Sequence, residues 1–118
     1  MRKIAQEDLV TSIADALQFI SYTHPVDFVK ALRRAYEAEV NTAAKSAMLQ
    51  LLVNSRMSVL GHRPICQDTG TAQIFIKLGI EVQFYRYDER PLHSLQALIN
   101  QATKRAYTNA LNPLRATT

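Results

Sequence analysis

The densest run of chemically capable side chains is His62-Arg63-Pro64-Ile65-Cys66-Gln67-Asp68-Thr69-Gly70. A thiolate nucleophile needs a base beside it. His62 precedes Cys66 by four residues, but in a loop that spacing fixes no geometry. A zinc site needs three or four nitrogen or sulfur ligands, and Cys66 with His24, His62 and His93 shows no zinc spacing. Iron–sulfur sites normally take three or four cysteines, and this chain has 1. Each residue also has a plain structural use. A lone cysteine is more often a small buried hydrophobe. Asp68 suits an Asx turn before Gly70, Gln67 suits solvent, and Thr69-Gly70 can simply open a strand. From residue types and spacing, this is a loop able to aim side chains into a cleft but unable to complete a site alone.

The elements around the run must position it. Leu9, Val10, Ile13, Leu17 and Ile20 recur at three- and four-residue spacings and predict a helix over Gln6 to Ile20. Thr23-His24-Pro25 ends it, because a proline disfavours helical geometry in the residue before it. A second helix is expected from Pro25 or Val26, with Phe28, Val29, Leu32 and Tyr36 inward and Arg33, Arg34, Glu37 and Glu39 outward. Asn41-Thr42 reads as a stop followed by a cap. A third helix follows from about Ala43 to Asn54, with Ala44, Ala47, Met48, Leu51 and Leu52 inside. The reactive loop comes next. Ala72 to Leu78 reads as a strand, and Ile80 to Tyr87 alternates as a half-buried one. Ser94 is expected to cap a last helix to about Tyr107, burying Leu95, Leu98, Ile99, Ala102 and Ala106. The fold class is α+β: N-terminal helices, a short β-strand pair and a C-terminal helix.

Composition bounds the rest. A chain of 118 residues, 47% apolar and 20% charged, is one globular unit with no internal repeat. No apolar run approaches the roughly 18 residues of a membrane span, so no membrane association is expected. Neither a secretory h-region nor a possible disulfide pair is present, which makes a reduced cytoplasm the default. The net charge is +4, and the second half holds most of the excess: 7 basic against 4 acidic groups from residue 60 onward. These charges are scattered rather than run together, which argues against a nucleic-acid arm. An anionic small substrate accounts for them equally well. Tyr85 and Tyr87 suit an outer strand face better than a base-stacking surface. Arg33-Arg34 and Lys104-Arg105 suit exposed helix faces with partners such as Glu37. His24 is expected to brace a helix start, His93 to be solvated, and Met48 and Met57 to be core filler or a docking surface.

The string Arg63-Pro64-Ile65-Cys66-Gln67-Asp68-Thr69-Gly70, followed by Ile74-Phe75-Ile76, resembles the signature of the iron–sulfur-dependent class I fumarate hydratases and the related L(+)-tartrate dehydratase alpha subunits. Tyr22-Thr23-His24-Pro25 with Phe28 and Ala35-Tyr36, then Leu52-Val53-Asn54-Ser55-Arg56, resembles the stretch before that signature. Arg105-Ala106-Tyr107-Thr108 and Asn112-Pro113-Leu114-Arg115 resemble the stretch after it. The resemblance therefore covers almost the whole chain.

It implies a role for four residues. Cys66 would be one of three thiolates holding a [4Fe–4S] cluster whose fourth iron binds substrate. Gln67 and Asp68 would approach the bound dicarboxylate, with Asp68 catalytic. Arg115 would bind a substrate carboxylate, although Ala116-Thr117-Thr118 replaces the serine the family usually carries soon after it. The implied reaction is reversible hydration of fumarate to L-malate, a step of the tricarboxylic acid cycle, with tartrate as the nearest rival substrate. The implied partners are the remaining alpha and beta portions of the enzyme, which forms a homodimer when complete. Residues 1–118 would then be an N-terminal fragment of the catalytic alpha domain, a partial domain inactive alone. A non-catalytic remnant or interaction module is the competing reading. An apolar surface is expected where further polypeptide would pack.

Overall fold

A computed structural model describes residues 1–66 and 71–114. The elements run β1 (Arg2–Ala5), α1 (Gln6–Tyr22), α2 (Val26–Ala38), α3 (Thr42–Gly61), β2 (Val82–Tyr85) and α4 (Leu95–Tyr107). This is the α+β arrangement expected: helices, a strand pair and a closing helix. Cα packing divides the chain into two units, Met1–Gln18 with Thr69–Thr118, and Phe19–Asp68.

The first unit holds the hydrophobic core. Val10, Ala14 and Leu17 of α1 meet Leu98, Ala102 and Ala106 of α4, with Leu114 beside them. Both helices present apolar residues at three- and four-residue spacings, so one stripe of each can face the other. Ala102 and Ala106 are 0% exposed, small side chains sealed within the cluster that both helices share. Polar clamps fix the register. Gln18 donates through its Nε2 to the carbonyl oxygens of Ala106 and Asn112, and Asn112 donates through Nδ2 to Gln18 Oε1 at 2.8 Å. Gln6, 3% exposed, donates from Nε2 to the His93 carbonyl at 2.9 Å and accepts the His93 N–H at 3.0 Å. Ser94 caps α4 as expected, accepting from the Ala97 N–H at 3.2 Å.

The strand pair differs from expectation in its partners. β2 lies within the alternating segment, with Val82 and Phe84 half-buried, but it pairs in parallel with β1, Ile4 opposite Phe84. Arg2-Lys3-Ile4-Ala5 is short and half polar, so it carries little strand signal of its own. Ala72 to Leu78 forms no strand. Ala72 and Ile74 turn toward the core of this unit while Phe75 is 92% exposed. A β-branched run makes a strand only where a ladder partner exists.

The second unit is an antiparallel helix pair built by α2 and α3 after the end of α1. Pro25 stands at the N-cap of α2. Asn41 itself, rather than Thr42, caps α3, its Oδ1 accepting from the Ala44 N–H at 3.0 Å. α3 runs 20 residues, to Gly61. It passes the expected end at Asn54 because no Gly or Pro interrupts Ser55 to Leu60. His24 braces the pair as expected: its Nδ1 lies 2.9 Å from Ser55 Oγ, and its ring stacks on Phe28 at 4.8 Å. Phe28 was expected inward but is 47% exposed, and Ala47 is exposed as well. Arg33 and Glu37 form the expected exposed ion pair at 3.1 Å. Among the described residues of this unit, only Ser21 and Ser58 are buried, and no apolar side chain is. No helix among the described residues is long and apolar enough to cross a membrane.

Candidate functional site

The segment that ends in Cys66 is held by four contacts, all within the second unit. α3 closes on His62, a non-glycine residue in the left-handed region at φ 49° and ψ 51°. The Arg63 N–H then reaches back to the Ser58 carbonyl at 3.2 Å, the six-to-one closure of a Schellman turn. A left-handed L-residue costs roughly 1–2 kcal/mol. His62 offsets part of that by laying its ring flat on Tyr22, centroids 4.6 Å apart and planes 9° from parallel. Pro64 then excludes further helix. The Ile65 N–H donates to the Ser21 carbonyl at 2.8 Å, and the Cys66 N–H donates to Asn54 Oδ1 at 3.0 Å.

Cys66 is exposed at the end of this fixed path. The alternative of a small hydrophobe sealed in a core is therefore excluded. A ligand cysteine needs a constrained backbone and access from outside, and Cys66 is an exposed residue on a fixed path. The chain supplies that one thiol, and no group of three or more His, Cys, Asp or Glu able to hold a metal occurs among the described residues. A single thiol would suit a cluster shared with other cysteines, and among the described residues it does not complete a mononuclear site. Gln67, Asp68 and Arg115 lie outside the described residues.

His24 and His62 serve the helix pair, as above. His93 belongs to the first unit, where its Nε2 lies 2.9 Å from Arg86 Nη1. Arg86, its side chain only 15% exposed, also binds Asp88 at 2.6 Å, the Pro91 carbonyl at 3.0 Å and Glu7 at 3.7 Å. This network staples residues 86–93 to the start of α1. Hydrogen bonding from the Arg90 N–H, joined by Arg86, holds the Asp88 carboxyl below its usual range. Tyr87 donates its hydroxyl to Asp8 at 2.8 Å. That bond, with burial and the Asp8 charge, pushes the phenol up to about 12.

Sequence reasoning missed Asn54, the residue that holds the Cys66 backbone. One signal was present: asparagine is a poor helix former, and it stands inside a helix of alanines, leucines and methionines.

Residues 10–118 match the family model described as Fumarate hydratase (Fumerase). The L(+)-tartrate dehydratase subunit alpha of Escherichia coli (strain K12) is 30% identical over 111 residues, covering 94% of this chain and 34% of its own. The proteins of the same name from Shigella sonnei (strain Ss046) and Escherichia coli O157:H7 match at the same identity and coverage. The chain thus spans about a third of the length of these relatives. No solved structure matches it. With the matched region taking in both helix units and the Cys66 segment, this chain belongs to the fumarate hydratase (Fumerase) family.

Proposed function

We propose that the chain works as part of a hydro-lyase that interconverts fumarate and L-malate, with Cys66 as one thiolate ligand of a [4Fe–4S] cluster. The observation that carries this reading is an exposed Cys66 on a backbone pinned by Asn54 and Ser21, inside a region that matches the family from residue 10 to residue 118. The remaining thiolates come from outside residues 1–118. So do the further alpha and beta portions and the homodimer of the complete enzyme. The relatives' naming as an alpha subunit supports partners of that kind.

When bound, such a cluster supplies a Lewis-acidic iron for the substrate hydroxyl and carboxylate. The chain's own residues do the rest. Asp68 would take one proton from the water whose hydroxide adds to fumarate and return it to the departing hydroxide in the reverse direction, while a group outside residues 1–118 delivers and removes the proton on the neighbouring carbon. Gln67 donates N–H to a substrate carboxylate. Arg115 grips a carboxylate through two parallel N–H bonds, the geometry its planar fork provides. Asn54 keeps the Cys66 amide occupied and so holds the sulfur's approach fixed.

The names of the matched relatives favour one second reading, L(+)-tartrate as the substrate. Both are tested by combining the chain with the remaining portions of the enzyme, reconstituting anaerobically with iron and sulfide, and assaying malate and L(+)-tartrate side by side. The reconstituted assembly should absorb in the visible as a cluster protein and turn over malate. Cys66→Ala should lose both the absorption and the turnover. Full cluster and activity in Cys66→Ala overturns the ligand role, and turnover of tartrate alone selects the second reading.

A further inference from the structure

Along α3, Leu49, Val53, Met57 and Leu60 follow one another at spacings of four, four and three residues. That spacing sets them in a line on one helix face, about three turns long. They are 41%, 43%, 64% and 73% exposed. An apolar line of this kind is costly to leave in water, and it lies in a unit whose described residues bury no apolar side chain.

The charges beside the line say what covers it. α3 contains no carboxylate in its 20 residues, and its cations are Lys45 and Arg56. Lys45 lies over the Tyr36 ring at 4.9 Å. Arg56 stands three residues after Val53 and four before Leu60, so it borders the line. Among the described residues no carboxylate lies within 4.0 Å of its guanidinium. Antiparallel pairing of two copies about the middle of the line would bring Arg56 near its own counterpart, with no acid on either helix to offset the repulsion. A second copy of this face is therefore a poor occupant.

We propose that the Leu49–Val53–Met57–Leu60 line is a docking seam for an apolar helix of a separate polypeptide that presents carboxylates opposite Arg56. This rests on the reading that the chain acts within a larger assembly, and it specifies the chemistry of one partner. The seam recognises apolar shape through its four side chains and orientation through the single arginine.

The test uses the full chain and two synthetic helical peptides with a leucine line at the same spacing, one flanked by glutamates and the other by lysines. Fluorescence anisotropy should show the glutamate peptide binding and the lysine peptide weaker by at least about tenfold. Arg56→Glu should reverse that order. Met57→Glu with Leu60→Glu should abolish binding while circular dichroism keeps the helix content, since both side chains are mostly exposed already. Sedimentation of the chain alone should give a monomer. No binding of the glutamate peptide, equal binding of the two, or a dimer of the chain alone that Met57→Glu dissolves would each overturn the proposal. The measurement needs no iron, sulfide or substrate. Peptide docking without cluster assembly would sink the hydro-lyase reading alone, and cluster assembly without docking would sink the seam alone.

Discussion

At the scale of single residues, Asn54 has a testable role separate from stability. Its bond to the Cys66 N–H is exposed, so its loss costs near the low end of the 0.5–1.5 kcal/mol typical of such bonds. Alanine is the better helix former by roughly half a kcal/mol. The two effects nearly cancel, and Asn54→Ala should melt within a few degrees of the parent. The Cys66 amide, by contrast, should lose protection in hydrogen exchange. Unchanged protection would remove Asn54 from the support of that loop. Tyr87 offers a second residue-scale test. Its phenol is pushed up to about 12, first by the hydrogen bond to Asp8. A folded value above the ordinary 10.0 means the folded state holds the proton more tightly than the unfolded chain. The contribution to stability is then complete below the ordinary value and lost as pH rises toward 12. Ultraviolet titration should show one late tyrosinate phase that Tyr87→Phe removes and Asp8→Asn moves earlier. A late phase surviving in Tyr87→Phe would refute the assignment.

At the scale of elements, the caps explain where helices begin better than periodicity explains where they end. Asn41 and Ser94 each accept one otherwise orphaned N–H, at 3.0 and 3.2 Å. Replacing either by alanine should cost about 1 kcal/mol. In thermal unfolding Ser94→Ala should lower the main transition, because α4 carries the core. Asn41→Ala should act on the α2–α3 pair alone. Equal effects on one shared transition would show that the two units unfold together. The same local chemistry made α1, α2 and α4 legible in the sequence: a proline, a serine and apolar residues at helical spacing are self-sufficient signals. The end of α3 was not, because the apolar pattern changes after Ser55 while no Gly or Pro stops the backbone before Gly61. Nor was the partner of β2. Strand pairing is a contact between distant segments, and Arg2–Ala5 has neither the length nor the alternation to advertise it. The site divides likewise. Cys66 stood out as a candidate from the string around it, whereas Asn54 and the Tyr22–His62 stack come from a chain path that no local pattern encodes.

At the scale of the whole molecule, apolar burial is unequal between the two units. Fully burying one leucine-sized side chain is worth about 1.5–3 kcal/mol. The first unit has Val10, Leu17, Leu98 and Leu114 at 8% exposure or less, together with two alanines at 0%. The second unit keeps Met57 and Leu60 mostly in water and relies on caps, the His24–Ser55 bond and half-buried contacts. Local opening free energy follows the number of buried apolar contacts that must be broken. Hydrogen exchange should therefore find the amides of α4 from Leu98 to Ala106 protected well beyond those in the middle of α2 and α3. Adding the glutamate-flanked peptide should slow exchange selectively in α3, because ligand that binds only the closed helix stabilises it by mass action. Equal protection of α3 and α4 in the chain alone would mean that the second unit draws stability from a source other than apolar burial. An accelerated α3 on peptide addition would mean that the seam opens the helix pair instead of completing it.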